Sequence, residues 1–444
     1  MKFTKFGKTL LMSALSAGVV LGITSCVQSY SVGYLYVTGT ATAQSSGNGI
    51  ITGFKIDHNK GELLPINGLP ISSGGANPGR AVLLTGGRFL YVLNRGVNSA
   101  GTADCTTADP CQNANITQFS IGGNGILAPQ QTFFSQGINP FRIVADASGN
   151  FIYVLDHDSP SNAACGLVLA GATSCGDVTA FKVDPNTGRL SLVVNAQVTQ
   201  ASGSPLPYFP VPANPIDFSL ASGYILTLSG TPATGDSVFP YTYNQASGQL
   251  TVNQNSSQPV NVSNGTAILY ATTGYVYVLA NDPITANGIP SPSQIVPFSI
   301  GSNGALQAQT GGAVPDDPTQ SNPVFLLAES KGKWVYVANQ GNNADKNNAQ
   351  SGITGYVIDP ATHQLTEMSG GTFSAVVGTG AGPQCMIEDP SNQFIYTANF
   401  NDSSVTGRVI DQNSGVLNNL PGTANRSYPL NGPAAWCVVT GRTS

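Results

Sequence analysis

NPFRIVADASGNFIYV, residues 139–154, is a β-hairpin legible in sequence. Asn139-Pro140 opens an apolar strand, Asp-Ala-Ser-Gly-Asn makes a tight turn, and Phe151-Ile152-Tyr153-Val154 begins a second strand of aromatic and β-branched residues. Further on, GDVTAFKVDPNTGRLSLVV, residues 176–194, adds an alternating strand, a Pro-Asn-Thr-Gly turn and a fourth strand. Together they spell a four-stranded antiparallel meander.

The same text recurs at a spacing of roughly fifty to sixty residues. The repeat before it reads NPGRAVLL (77–84), RFLYVLN (88–94), NITQFSI (115–121) and ILAPQQTF (126–133). Later repeats begin at NPIDFSL (214–220), GTAILYA (265–271), NPVFLLA (322–328) and GPQCMIED (382–389), the one at 265 being the most worn. The opening repeat, from Gly33, has strands two to four and no strand one, while GPAAWCVVTG (432–441) is a strand one with no strand two after it. The C-terminal strand is therefore expected to complete the N-terminal sheet. That predicts an all-β, seven-bladed β-propeller over 33–444, whose closure protects the sheet edges. The matched leftover strands argue against an open solenoid.

Composition agrees. Charged residues make up 9 % of the 444, apolar ones 41 %, and Gly (52) and Pro (29) are abundant, which suits an all-β chain with many turns. A formal net charge of −5 and the absence of a Lys/Arg cluster beyond the N-terminus exclude a nucleic-acid partner.

Residues 1–25 read as a signal peptide: Lys2, Lys5 and Lys8, then the apolar Leu10 to Ile23, too short for a comfortable membrane span. Small residues directly before Cys26 resemble a bacterial lipobox. The expectation is lipidation of the Cys26 thiol, a linker over 26–32, and membrane contact through that anchor only. The plainer alternative is an ordinary signal peptide that contains a cysteine. Val27, rather than Asp, favours the outer membrane or cell surface.

Six other cysteines in an exported chain point to disulfides. Cys105 and Cys111 share one polar loop, and Cys165 and Cys175 another, so each pair is expected to staple its loop. Cys385 and Cys437 either bridge neighbouring blades or remain buried thiols. The cysteine spacings and the scattered His58, His157 and His363 give no metal site. No cofactor is expected, and a monomer is.

Tyr91-Val92-Leu93-Asn94 and Tyr336-Val337-Ala338-Asn339, with the turn strings at 183–190 and 358–362, resemble the lactonase family of seven-bladed propellers, the 6-phosphogluconolactonase-like and YVTN-type proteins. The resemblance covers nearly all of 33–441. It implies hydrolysis of a lactone or related small ester at the channel mouth. It also implies a histidine at the start of one inner strand, where this chain has Phe141 and Arg142.

Two residues after each opening proline, or its equivalent, stand Arg80, Arg142, Asp217, Ala267, Phe325, Cys385 and Ala435. Strand alternation aims these at the channel. Arg80 and Arg142 are then candidates to hold a carboxylate or oxyanion, with Asp217 orienting them or acting as a base. Alternatively, they form a buried Arg–Asp pair that ties blades together. At the ends of strand two, Asn94 and Asp156 are substrate-binding candidates, and His157, between two carboxylates, is a candidate general base or else an exposed loop residue. Tyr208, Phe209 and Trp436 are aromatic candidates for sugar stacking or for packing. The non-catalytic reading is an envelope propeller that binds a ligand, glycan or protein.

Overall fold

The computed structural model describes residues 30–41, 48–84, 86–230, 235–252, 257–271, 274–286, 289–341, 350–374, 380–422 and 427–441. The signal peptide and Cys26 lie outside the described residues.

Among the described residues, seven antiparallel sheets of four or five strands follow one another along the chain, with two two-stranded ribbons beside them, and neighbouring strands run in chain order except where blade 1 takes the C-terminal strand. Blade 1 is closed as the leftover strands require: Ala434–Gly441 pairs with Ser31–Thr40, which pairs with Asn48–Asp57. Blade 2 opens with Pro78–Leu83, blade 3 with Ile138–Ala145, blade 4 with Pro215–Ala221, blade 5 with Gly265–Tyr270, blade 6 with Pro323–Ala328 and blade 7 with Pro383–Glu388. In five blades the outer edge is split into two short strands that both pair with strand three.

The core lies between blades. Phe89, Tyr91 and Leu93 of blade 2 pack on Ile152, Val154, Phe181 and Leu190 of blade 3, and comparable clusters fill the other seams. Polar stitches cross the same seams. At one position of strand two, a tyrosine hydroxyl donates to the carbonyl of the left-handed turn residue in the next blade: Tyr36 to Gly125, Tyr91 to Gly188, Tyr153 to Gly248 and Tyr336 to Gly415. In one turn His363, at φ 56°, replaces the glycine and accepts from Tyr277. Blade 4 has Leu226 at this position, so its seam lacks the stitch.

All six cysteines beyond Cys26 are bridged: Cys105–Cys111, Cys165–Cys175 and Cys385–Cys437. The third resolves the open alternative. It joins the inner strand of blade 7 to the C-terminal strand of blade 1 and so fastens the ring beside its closure.

Candidate functional site

Asn77, Asn139, Asn214 and Asn322, just before the opening prolines, adopt positive φ. Three of them tie the start of the inner strand to the loop after strand two: Asn77 Nδ2 donates to the Gly96 carbonyl, Asn322 Nδ2 to the Gly341 carbonyl, and Asn139 Nδ2 to Asp158 Oδ2. Inner strands and long loops therefore converge on one face, where they rim the channel mouth.

Each inner strand then breaks register just past its start, between Pro215 and Asp217 or Pro383 and Cys385, for example. Such a bulge re-aims the side chains that follow. Simple alternation from the proline is corrected at this point. Cys385 turns into the core at 1 % exposure, and its neighbour Gln384 faces the mouth instead. On the C-terminal strand both Ala435 and Trp436 line it.

Arg80, Arg142 and Asp217, from three different blades, do meet. Arg80 Nη1 lies 2.8 Å from Asp217 Oδ1, and Arg142 Nε lies 3.4 Å from the same oxygen. The other oxygen, Oδ2, accepts the backbone N–H of Ile268 in blade 5 at 3.2 Å. Asp217 is buried to 2 %, so the cluster ties four blades together as well as facing the channel. Arg80 also stacks over Trp436 at 4.5 Å, and Trp436 meets Phe325 edge-on at 5.1 Å. Arg142 stacks over Phe141 at 5.0 Å.

These side chains divide the channel. Above them is a mouth cavity of about 370 Å³ bounded by Arg80, Arg95, Arg142, Gln340, Phe400 and Trp436, among others. Below them is a chamber of about 250 Å³, largely apolar, with Val144, Leu220, Leu269 and Phe325 in its wall. Burial, and then the charge of Arg80, pull the Arg142 guanidinium down to about 9, against the opposing pull of Asp217. Burial also lowers Arg95. The mouth thus carries more positive charge than its one buried carboxylate offsets.

The other sequence candidates fall elsewhere. Asn94 and Asp156 are wholly buried inside their blades. Asn94 donates to the Ser73 carbonyl at 3.0 Å and to Asn115 Oδ1 at 2.9 Å. His157 stands at the rim, 41 % exposed, with Nδ1 3.1 Å from Asp158 Oδ2 and its ring 6.2 Å from that of Phe141. Tyr208 and Phe209 are core residues. Sequence reasoning passed over Gln340 and Phe400 as cavity walls and reached the third, Arg95, only as one of the strand-two ends. Each directly follows the asparagine that ends strand two, Asn94, Asn339 or Asn399, and His157 holds the same place in blade 3. That register position was the available signal.

The chain belongs to the family of seven-bladed lactonase propellers: the family model described as "Lactonase, 7-bladed beta-propeller" matches residues 48–204 and 293–427. The unmatched interval holds blade 4, where the tyrosine stitch is missing, and the first two strands of blade 5. No curated protein matches the chain. Among solved structures, the chain is similar to a candidate 6-phosphogluconolactonase from Bacteroides fragilis, with 15 % identity, TM-score 0.61, and coverage of 92 % of this chain and 98 % of that one. A second, from Bacteroides uniformis, has 13 % identity, TM-score 0.63 and coverage of 92 % and 100 %. The periplasmic gluconolactonase of Pseudomonas aeruginosa has 17 % identity, TM-score 0.58 and coverage of 92 % and 99 %. At these identities the likeness is one of fold.

Proposed function

We propose that the channel mouth binds a small lactone or the carboxylate formed when its ring opens, and that the protein acts as a lactone hydrolase. The observation that carries this is the gathering of Arg80 and Arg142 around one shared carboxylate, with Arg95 in the wall of the same cavity. A bound carboxylate, or the oxyanion of a tetrahedral intermediate, supplies a counter-charge to Arg142, which burial and then the charge of Arg80 depress. Phe141, Phe400 and Trp436 supply apolar walls, and Gln340 and Gln384, hydrogen-bonded to each other, supply amides for hydroxyl groups. The gluconolactonase names of the similar structures support the same substrate class.

In this reading Asp217 orients guanidiniums, because both its oxygens are already engaged. Water activation falls to His157, held by Asp158 at the rim. The test is turnover by the purified protein on a panel of sugar and alkyl lactones, beside Arg142→Ala and His157→Ala. Arg142→Ala is expected to lose about 100-fold in kcat/KM, the cost of one oxyanion donor.

The same engagement of Asp217 favours a second reading, a non-catalytic propeller that binds small carboxylates. Carboxylate binding without turnover on any lactone selects it and sinks the hydrolase.

Three disulfides and a periplasmic neighbour support an exported protein. Anchoring through a lipid on Cys26, at the outer membrane or cell surface, is part of the proposal. Labelled-lipid incorporation that persists in Cys26→Ala overturns it.

A further inference from the structure

Blade 3 departs from blades 2, 6 and 7 at the rim end of strand two. In blade 2, Asn94 pairs across the sheet with Asn115, and its amide also donates to Thr117 at 3.2 Å. In blade 6, Asn339 donates to Thr354, and in blade 7, Asn399 donates to Ser404 and Thr406. Blade 3 keeps the threonine, as Thr179, but both amides of the blade 2 pair are carboxyls. Asp156 and Asp177 are cross-strand partners, and both are 0 % exposed.

We propose that Asp156 and Asp177 share a proton, and that this proton pins the rim end of blade 3. Two ionised carboxylates cannot face each other in a site closed to water. One proton turns the repulsion into a short carboxyl–carboxylate hydrogen bond, as an amide does in blade 2. Among the described residues, the groups that act on the pair include no cation. Thr179 Oγ1 donates to Asp156 Oδ2 at 3.2 Å, and Ser135 and the Gly137 backbone also bond Asp156. Asp158, on the same strand, adds negative charge, and Tyr208 and Tyr241 are the titratable groups of the packed elements. Gly137 roofs the pair so closely that a Cβ there would collide with both carboxyl side chains. Burial raises Asp156 to about 7, and burial plus the charge of Asp156 raises Asp177 well above the usual carboxylate range.

The consequence reaches the mouth. Asp156 directly precedes His157 and Asp158, and Asp158 holds Thr107 of the Cys105–Cys111 loop and Asn139 at the start of the inner strand. Asp177 lies two residues past Cys175, which closes the other stapled loop. Both loops hang from strand ends that the shared proton clamps together.

The folded protein binds this proton more tightly than the unfolded chain. The stabilisation is therefore complete below the unfolded carboxyl value near 3.8 and falls as pH rises, first through about 7, where Asp156 gives up its proton, and finally through the higher value of Asp177. The test is chemical unfolding from pH 5 to 8.5 of the wild type and of the Asp156→Asn/Asp177→Asn variant, which restores the asparagine pair of blade 2. The ratio of their unfolding constants should change by about tenfold per pH unit in the window where one proton separates the states. Protection from hydrogen exchange at 156–160 and 105–111, corrected for the base-catalysed intrinsic rate, should fall with pH in the wild type and not in the variant. Parallel unfolding profiles overturn the proposal. So does a carbon-13 carboxyl titration of the wild type showing both groups ionised at pH 6, a result independent of whether the variant folds.

Discussion

Tyr396 Oη donates to the Gly61 carbonyl at 2.8 Å, joining residues 335 positions apart in sequence. It is the last stitch of the ring, from blade 7 back to blade 1. Gly61 sits at φ 65°, and a Cβ there would strike the Phe394 ring, so the turn can approach only as glycine. Tyr396→Phe should cost about 1 kcal/mol, with the buried carbonyl losing its donor. Gly61→Ala should cost more, because it combines strain with a clash. Urea unfolding of both variants checks the order, and a Gly61→Ala protein as stable as the wild type contradicts it.

Cys385–Cys437 guards the same closure. The bridge spans 52 residues, a loop for which chain entropy gives about 4 kcal/mol. The Cys385→Ser/Cys437→Ser protein should unfold at clearly lower denaturant. It should also show greater exposure of Trp436, read by iodide quenching in a Trp334→Phe background. Unchanged quenching would mean that the bridge does not hold Trp436 in place.

Asp217 is the keystone of the mouth. Asp217→Asn leaves Arg80 and Arg142 without their shared counter-charge in a half-buried site. Breaking one side of such a cluster costs about 3 kcal/mol. The expected result is a lower unfolding midpoint that added carboxylate, such as gluconate, partly restores. A loss of stability blind to every anion tried would leave Asp217 a purely structural tie.

Arg95 lines the cavity but takes no part in the Asp217 cluster. Arg95→Met should therefore leave folding nearly intact and weaken binding of a carboxylate probe by about tenfold, the effect of one charge-assisted hydrogen bond. Isothermal titration at low and high salt separates this from long-range charge effects, since the close contact is less screened.

Much of this protein is legible in its sequence. The meander of 139–194, repeated along the chain, and the unpaired strands at its two ends determine seven blades and their closure, because turn chemistry and alternation are local properties. The pairing of cysteines within each stapled loop is local too. Three matters waited for the tertiary structure. The bulge after each opening proline shifts the phase of alternation, sending Cys385 inward and Gln384 to the mouth. Asp217 binds Arg80 and Arg142 because ring closure brings three inner strands around one axis, a relation that spacing along the chain does not encode. Asp156 reads in sequence as a site residue beside His157, yet the pleat buries it against Asp177. A strand-end carboxylate looks the same on paper whether it faces water or its partner strand, and only the packed sheet decides which.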